Sequence, residues 1–245
     1  MSDTALIIIA RYPEPGKTKT RLARDLGDSA VAQLYQAFLT DLAHRLGGLT
    51  YDLYWTYTPA HVDYQSFVAS LAPEHAARMR TFAQQGPDLG ARLLHAFQET
   101  RARGYQHTIL IGSDSPHISV EIVERALTAL DDADVVLGPA EDGGYYLIAM
   151  HEPHDVFSAI PMSTAVVTEM TIAAAQQQGL RVTLIDQLFD IDELPDLLRL
   201  ARLLEENRTL APATAAYLAT MRSLHDNNAH SHTSTLDLHR TNQPM

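Results

Sequence analysis

Blocks of apolar and polar residues change period along the chain, from strand-like runs to helical spacing and back. Ala5 to Ala10 (ALIIIA) is an unbroken, largely β-branched apolar run of strand length, the pattern of a strand buried on both faces. Ser29 to Leu46 places Val31, Leu34, Tyr35, Phe38, Leu42 and Leu46 at helical spacing, with Asp28 as N-cap and Gly47-Gly48 as stop. The same reading predicts strands over Asp52–Thr58, Met79–Phe82, His107–Ile111, Asp134–Leu137, Tyr145–Met150 and Arg181–Ile185. It predicts helices over Val62–Ser70, Asp88–Arg103, Val120–Leu130, Thr164–Gln178, Pro195–Glu206 and Pro212–Leu224. This alternation predicts an α/β fold with a mostly parallel central sheet, helices on both faces and right-handed crossovers. Without a repeat or linker, residues 1–224 read as a single domain. Residues 225–245, polar, His-containing and without apolar periodicity, read as a disordered tail.

Composition narrows the function classes. A chain of 245 residues, 46% hydrophobic and 20% charged, can bury a large core. A net charge of −12 argues against nucleic-acid or anionic membrane partners, so any phosphate contact must be local. Such a local patch follows the first strand, where Arg11, Lys17, Lys19, Arg21 and Arg24 crowd one loop. Lys17 and Lys19 are the chain's only lysines; the other sixteen of its 18 basic residues are arginines. The absence of cysteine excludes disulfides, thiolate metal sites and a cysteine nucleophile, and fits a reducing compartment. The opening apolar run is shorter than a signal-peptide core or a membrane span, so the expected location is cytoplasmic.

Gly16-Lys17-Thr18 superficially suggests a P-loop. That motif requires glycine where Arg11 stands, and no helix is predicted to start at Thr18. What remains is a Gly/Pro loop at a strand end whose amides and cations suit a diphosphate. Asp114 ends the apolar strand His107–Ile111 in Gly-Ser-Asp-Ser-Pro, where a carboxylate needs a partner. A hard divalent ion would satisfy it, with Asp190 or Asp192 as second ligand; a turn or helix cap explains these aspartates equally well. Glu141 and Asp142 precede Gly143-Gly144 and can orient an acceptor hydroxyl or take its proton, or form a hairpin turn.

Taken in order, ARYPEPGKTKTRL, QQGPDLGARL, LIGSDSPHI, VVLGPAEDGGYYLI, Ser163-Thr164 and FDIDELPDL resemble a bacterial family formerly of unknown function. Its members are assigned as glycosyltransferases, some linked to arsenosugar biosynthesis or to radical SAM and selenoprotein gene clusters. The resemblance spans about Ala5 to Leu200. It implies the Rossmann-like nucleotide-diphospho-sugar transferase fold, shared by A-type glycosyltransferases and by guanylyltransferases. It further implies that Ala10, Arg11, Gly16, Lys17 and Arg21 lie around the nucleotide phosphates and that Gly86, Asp88 and Gly90 lie near base or ribose. By the same resemblance Asp114 is the metal aspartate and Asp192 a second one. Two departures are Glu193-Leu194-Pro195-Asp196 in place of Thr-Pro-Glu-Asp, and Met162 in place of tryptophan before Ser163-Thr164.

The leading expectation is a Mg²⁺- or Mn²⁺-dependent glycosyltransferase moving a sugar from a nucleotide sugar to a small acceptor. Lys17, Lys19 and Arg21 would hold the diphosphate, and Glu141 or Asp142 would activate the acceptor. The alternative is a guanylyltransferase-like nucleotidyltransferase that uses a nucleoside triphosphate and a small phosphorylated substrate on the same site. A second alternative is a catalytically silent nucleotide-binding protein.

Overall fold

The apolar run near the start of the chain forms the first strand of a seven-stranded sheet. In the computed structural model, which describes residues 2–221 and 223, the strands are β1 (Thr4–Arg11), β2 (Asp52–Thr58), β3 (Met79–Ala83), β4 (His107–Gly112), β5 (Val135–Pro139), β6 (Tyr145–Met150) and β7 (Val182–Leu184). They lie in the order β3-β2-β1-β4-β6-β5-β7. Every pairing is parallel except those of β6, which runs antiparallel to β4 and β5. The expected mostly parallel α/β sheet is therefore present, with one hairpin strand inserted. Its turn is Glu141–Gly144, where Gly143 adopts φ 91°, a conformation that L side chains avoid.

The helices are α1 (Thr20–Leu26), α2 (Asp28–Gly47), α3 (Tyr64–Leu71), α4 (Leu89–Ala102), α5 (Val120–Ala129), α6 (Val167–Gln177) and α7 (Leu194–Glu206), followed by a helix over 212–221. On one sheet face Phe38, Tyr64, Val123 and Leu200 from α2, α3, α5 and α7 pack with Leu6, Ile8, Trp55, Ile109 and Leu147. On the other, Leu93 and Phe97 of α4 and Ala175 of α6 pack with Ala5, Ile7, Leu110 and Ile148. Alternate residues of β1 thus feed opposite cores, which is why its sequence is apolar without alternation.

Two elements differ from the sequence reading. α1 is a short helix inside the basic run; it buries only Leu22 and Ala23, too little to register as an apolar stripe, and Gly27 at φ 84° separates it from α2. α6 starts at Val167 rather than Thr164, because Ser163 takes a left-handed φ of 66° and the chain through Val166 stays irregular. The tail expected over 225–245, and Leu224 before it, lie outside the described residues. No helix among the described residues is long and apolar enough to cross a membrane.

Topology places the candidate chemistry. From β1 the chain moves out through β2 to β3, then returns to β4 on β1's other side. The loops leaving β1 and β4 therefore diverge at their carboxyl ends and open a crevice, the usual ligand position in open α/β sheets.

One helix anchors the loop after β4 from behind. Arg45 of α2 donates to the carbonyls of Pro116 at 2.8 Å and Ile118 at 2.7 Å, and to those of Thr209 and Leu210. One turn earlier, Asp41 accepts from Ala213 N at 2.7 Å, Thr214 N at 2.9 Å and Thr214 Oγ1 at 2.6 Å, capping the 212–221 helix. Burial holds the Asp41 carboxyl above its ordinary value despite these donors. Asp41→Ala leaves two backbone donors and a buried hydroxyl unpaired, so it is expected to cost about 3 kcal/mol. Urea denaturation followed by circular dichroism measures this loss, accompanied by a weaker helical signal.

Candidate functional site

A cleft of about 880 Å³ occupies the crevice between the β1 and β4 loops. Its near wall is the end of β1 and the segment after it, which contribute Ala10, Arg11, Lys17, Lys19 and Arg21. Arg11 steadies this loop by donating from Nη1 to the Lys17 carbonyl at 3.2 Å, and its amide donates to Tyr35 Oη at 3.1 Å. Tyr35 Oη in turn lies 2.7 Å from Ser113 Oγ, so a buried phenol ties the end of β1 to the start of the β4 loop. Burial, reinforced by the Asp114 charge, pushes that phenol up to about 12 and keeps it a hydrogen-bonding group at neutral pH.

Opposite stand the aspartates. Lys19 Nζ lies 2.6 Å from Asp114 Oδ1 and 2.7 Å from Asp192 Oδ1, and only 6% of the Lys19 side chain is exposed. Burial alone would lower the ammonium pKa; the two carboxylates outweigh it and hold the group above its ordinary value. Burial likewise favours a neutral Asp192, but the Lys19 charge overrides it and keeps that carboxyl low. Asp192 reaches this position because its segment is stitched to the β4 loop: Ile191 N donates to the Asp114 carbonyl at 3.0 Å, and Ser115 Oγ donates to the Phe189 carbonyl at 3.1 Å. Ser115 Oγ also lies 2.5 Å from Asp190 Oδ1. Burial, with the Asp114 charge adding to it, lifts Asp190 to about 6. The departure at Glu193–Asp196 serves the same geometry, since Asp196 Oδ2 accepts from the Asp192 and Glu193 amides at 3.1 and 2.8 Å and caps α7.

The far wall comes from the β5–β6 turn, α4 and the segment before α6. Asp142 faces the cleft, its Oδ1 taking the Gly144 amide at 2.9 Å. A Cβ on Gly143 would come within 2.0 Å of the Ala165 carbonyl, so that turn and the Ser163–Ala165 segment are in direct contact. Met162, at the position of the expected tryptophan, lines the cleft beside Leu89, Arg92 and Leu93 of α4.

The structure brings Ala10, Arg11, Lys17, Lys19, Arg21, Asp114, Asp142 and Asp192 to one cleft and leaves Gly16, Gly86, Asp88, Gly90 and Glu141 off its lining. Asp88 caps α4 by accepting from Ala91 N at 2.8 Å, and a Cβ on Gly90 would lie 3.1 Å from the Phe157 carbonyl, so these residues shape the α4 entry. Glu141 is held by Arg199 of α7 in a two-point ion pair at 2.6 and 2.9 Å, and that pair lowers its carboxyl pKa. Residues the sequence did not single out are Tyr35, Gln84 and Arg92. Arg92 adjoins the Gly-Pro-Asp turn, and its Nε donates to the Gly86 carbonyl at 3.2 Å.

The donor set suits a hard divalent ion. Asp114 and Asp192 converge on one cation position while remaining 43% and 41% exposed, and Mg²⁺ takes one or two carboxylates with water and phosphate oxygens completing its shell. Among the described residues no group of three or more His, Asp or Glu side chains could hold a metal, and Asp114 and Asp192 are the carboxylate pair that would hold such an ion here.

A crystal structure from Desulfovibrio desulfuricans G20, assigned only provisionally as a nucleotide-diphospho-sugar transferase, superposes with a TM-score of 0.82 at 37% identity, covering 91% of this chain and 97% of that one. The chain belongs to the family of that protein. Residues 50–164 match the family model described as an uncharacterized protein conserved in bacteria (DUF2064). The 2-phospho-L-lactate guanylyltransferase of Methanopyrus kandleri is 37% identical over 97 residues, 38% of this chain and 50% of that one, so the match spans half of that relative's length. A cytidylyltransferase from Leptospira borgpetersenii, at 12% identity and a TM-score of 0.54 over 86% of this chain and 97% of that one, shares the fold. All three of these proteins are named for transfer reactions that use nucleotides.

The β4 loop also carries a pH-sensitive group. Neither ring nitrogen of buried His117 has a hydrogen-bond partner, and its ring packs 4.5 Å from that of Phe189. Burial, then the Arg45 and Arg199 charges, lowers it to about 4, against about 6.5 in an unfolded chain. Its contribution to stability is therefore complete above about pH 6.5 and is lost as pH falls towards 4, because the unfolded state binds the proton first. Between pH 7 and pH 5 the expected loss is about 2 kcal/mol. In His117→Phe, urea titrations at the two pH values should show that difference shrink by this amount.

Proposed function

We propose that this protein is a nucleotidyltransferase, joining a nucleoside monophosphate to a small phosphorylated substrate and releasing pyrophosphate. The observation that carries this reading is the convergence in one cleft of Arg11 at the end of β1, Lys17 of the following loop and Arg21 of α1 with the Asp114–Asp192 pair, while Glu141 is bound to Arg199 outside it. Four phosphate charges on a triphosphate match several cations better than an acidic acceptor pocket would. A phosphorylated acceptor is already an anionic nucleophile and needs no carboxylate base. The curated guanylyltransferase relative supports the same direction.

In this reading Lys17 and Arg21 hold the β- and γ-phosphates and Arg11 fixes the loop that presents them. An acceptor oxygen attacks the α-phosphorus, the α–β phosphoanhydride bond breaks, and its electron pair leaves on pyrophosphate. Asp114 and Asp192 would hold Mg²⁺ or Mn²⁺, whose charge would offset that developing on the leaving phosphates. The tight packing of the Gly143 turn against Ala165 holds together the two segments of the acceptor wall.

The second reading, glycosyl transfer from a nucleotide sugar, is favoured by Asp142, which stays in the cleft as a base for an acceptor hydroxyl, and by the provisional assignment of the Desulfovibrio relative. Product analysis separates the two. Across a panel of nucleoside triphosphates with small phosphorylated acids and alcohols, and of nucleotide sugars with hydroxyl acceptors, the expected product is pyrophosphate. Release of nucleoside diphosphate only from nucleotide sugars would replace this reading with the second; binding without any turnover would indicate a silent binder. On the active pair, Asp114→Asn is expected to lower kcat/KM by about 10²-fold with the thermal transition retained.

A further inference from the structure

We infer that Lys19 is the resident cation of the metal position: in the ion-free protein it holds Asp114 and Asp192 together, and loading of a divalent ion moves it from the aspartates towards the nucleotide phosphates. This rests on the proposal that the cleft is a metal-dependent nucleotide site. The geometry is direct. One ammonium lies 2.6 and 2.7 Å from one oxygen of each carboxylate, and its side chain is almost fully covered. A divalent ion coordinated by the same pair claims the same oxygens, so ammonium and ion compete for them.

Three features fit a partner exchange rather than a fixed ion pair. Lys19 carries φ 47° and ψ 51°, the left-handed conformation that side-chain-bearing residues rarely adopt, immediately before α1. The residue is lysine in a chain whose other basic positions, Lys17 apart, are arginine. A compact ammonium on a flexible four-carbon stem can swap acceptors, whereas a planar guanidinium is pre-organised for a two-pronged partner. Phosphates bound as proposed would meet Lys19 on the same wall, where Arg11, Lys17 and Arg21 also line the cleft. Charge balance gives the direction: with the ion on the aspartates, the ammonium becomes an excess cation and the phosphates become its available anions.

Because the chain has two lysines, the wild-type protein reports on this itself. Limited acetylation followed by peptide mass spectrometry should find Lys19 protected and Lys17 reactive without metal. Addition of Mn²⁺ should raise Lys19 acetylation about tenfold, and Mn²⁺ with a non-hydrolysable triphosphate should suppress it again. By calorimetry, Lys19→Met should bind Mn²⁺ alone at least tenfold more tightly than wild type, while Lys19→Arg should show no such gain. Unchanged Lys19 labelling with Mn²⁺ bound, or Mn²⁺ affinity in Lys19→Met equal to or below that of wild type, would overturn the exchange while leaving the metal site standing. Failure of the wild type to bind Mn²⁺ even with nucleotide would remove the metal-dependent reading and this inference with it. Should Lys19→Met fail to fold, the wild-type labelling decides alone.

Discussion

Two carboxylates and one buried ammonium can share a position only if three separate stretches of chain are held there. Asp114 comes from the loop after β4, Asp192 from the segment entering α7, and Lys19 from the loop after β1. Backbone bonds from Ile191 to Asp114, the Ser115 bond to Phe189, and the Arg45 clamp behind Pro116 and Ile118 do the holding. Remove the ammonium and two like charges face each other in a partly covered cleft, a situation that asks for another cation. The site's charge balance therefore depends on which cation occupies it, and this links the fold to the chemistry proposed for it.

Much of this was legible in the sequence where physics is local. The apolar run Ala5–Ala10 predicts a doubly buried strand because both its faces need apolar side chains, and β1 has cores on both sides. Asp114 at the end of an apolar strand predicts a partnered carboxylate, and its partner is Lys19. The rule that ligands bind at the switch point of an open sheet places the β1 and β4 loops on one cleft, and they do border one cleft. What was not legible depends on distant pairings. Glu141 reads as a candidate base beside a Gly-Gly turn, yet Arg199, far along the chain, takes both its oxygens. Lys19 reads as one more phosphate cation, and nothing local shows that it points at Asp192. α1 is hidden because its buried face is two residues wide.

Family and fold constrain the chemistry less than the cleft does. The Desulfovibrio relative and the guanylyltransferase relative carry names of different transfer reactions, and a shared nucleotide fold supports both. They differ in what the acceptor must bring: a hydroxyl acceptor needs a base, whereas a phosphorylated one brings its own negative charge. The capture of Glu141 and the crowding of cations on the opposite wall therefore weigh more than the fold in choosing between them.

The central claim is that the loop after β1 and the aspartates after β4 and before α7 form one metal-dependent triphosphate site. A crystal structure with Mn²⁺ and a non-hydrolysable nucleoside triphosphate tests it most directly, since manganese is located by its anomalous signal. The account predicts an anomalous peak in contact with Asp114 and Asp192, with the β- and γ-phosphates against Lys17 and Arg21. A manganese peak away from both aspartates, or a triphosphate bound outside this cleft, would contradict it.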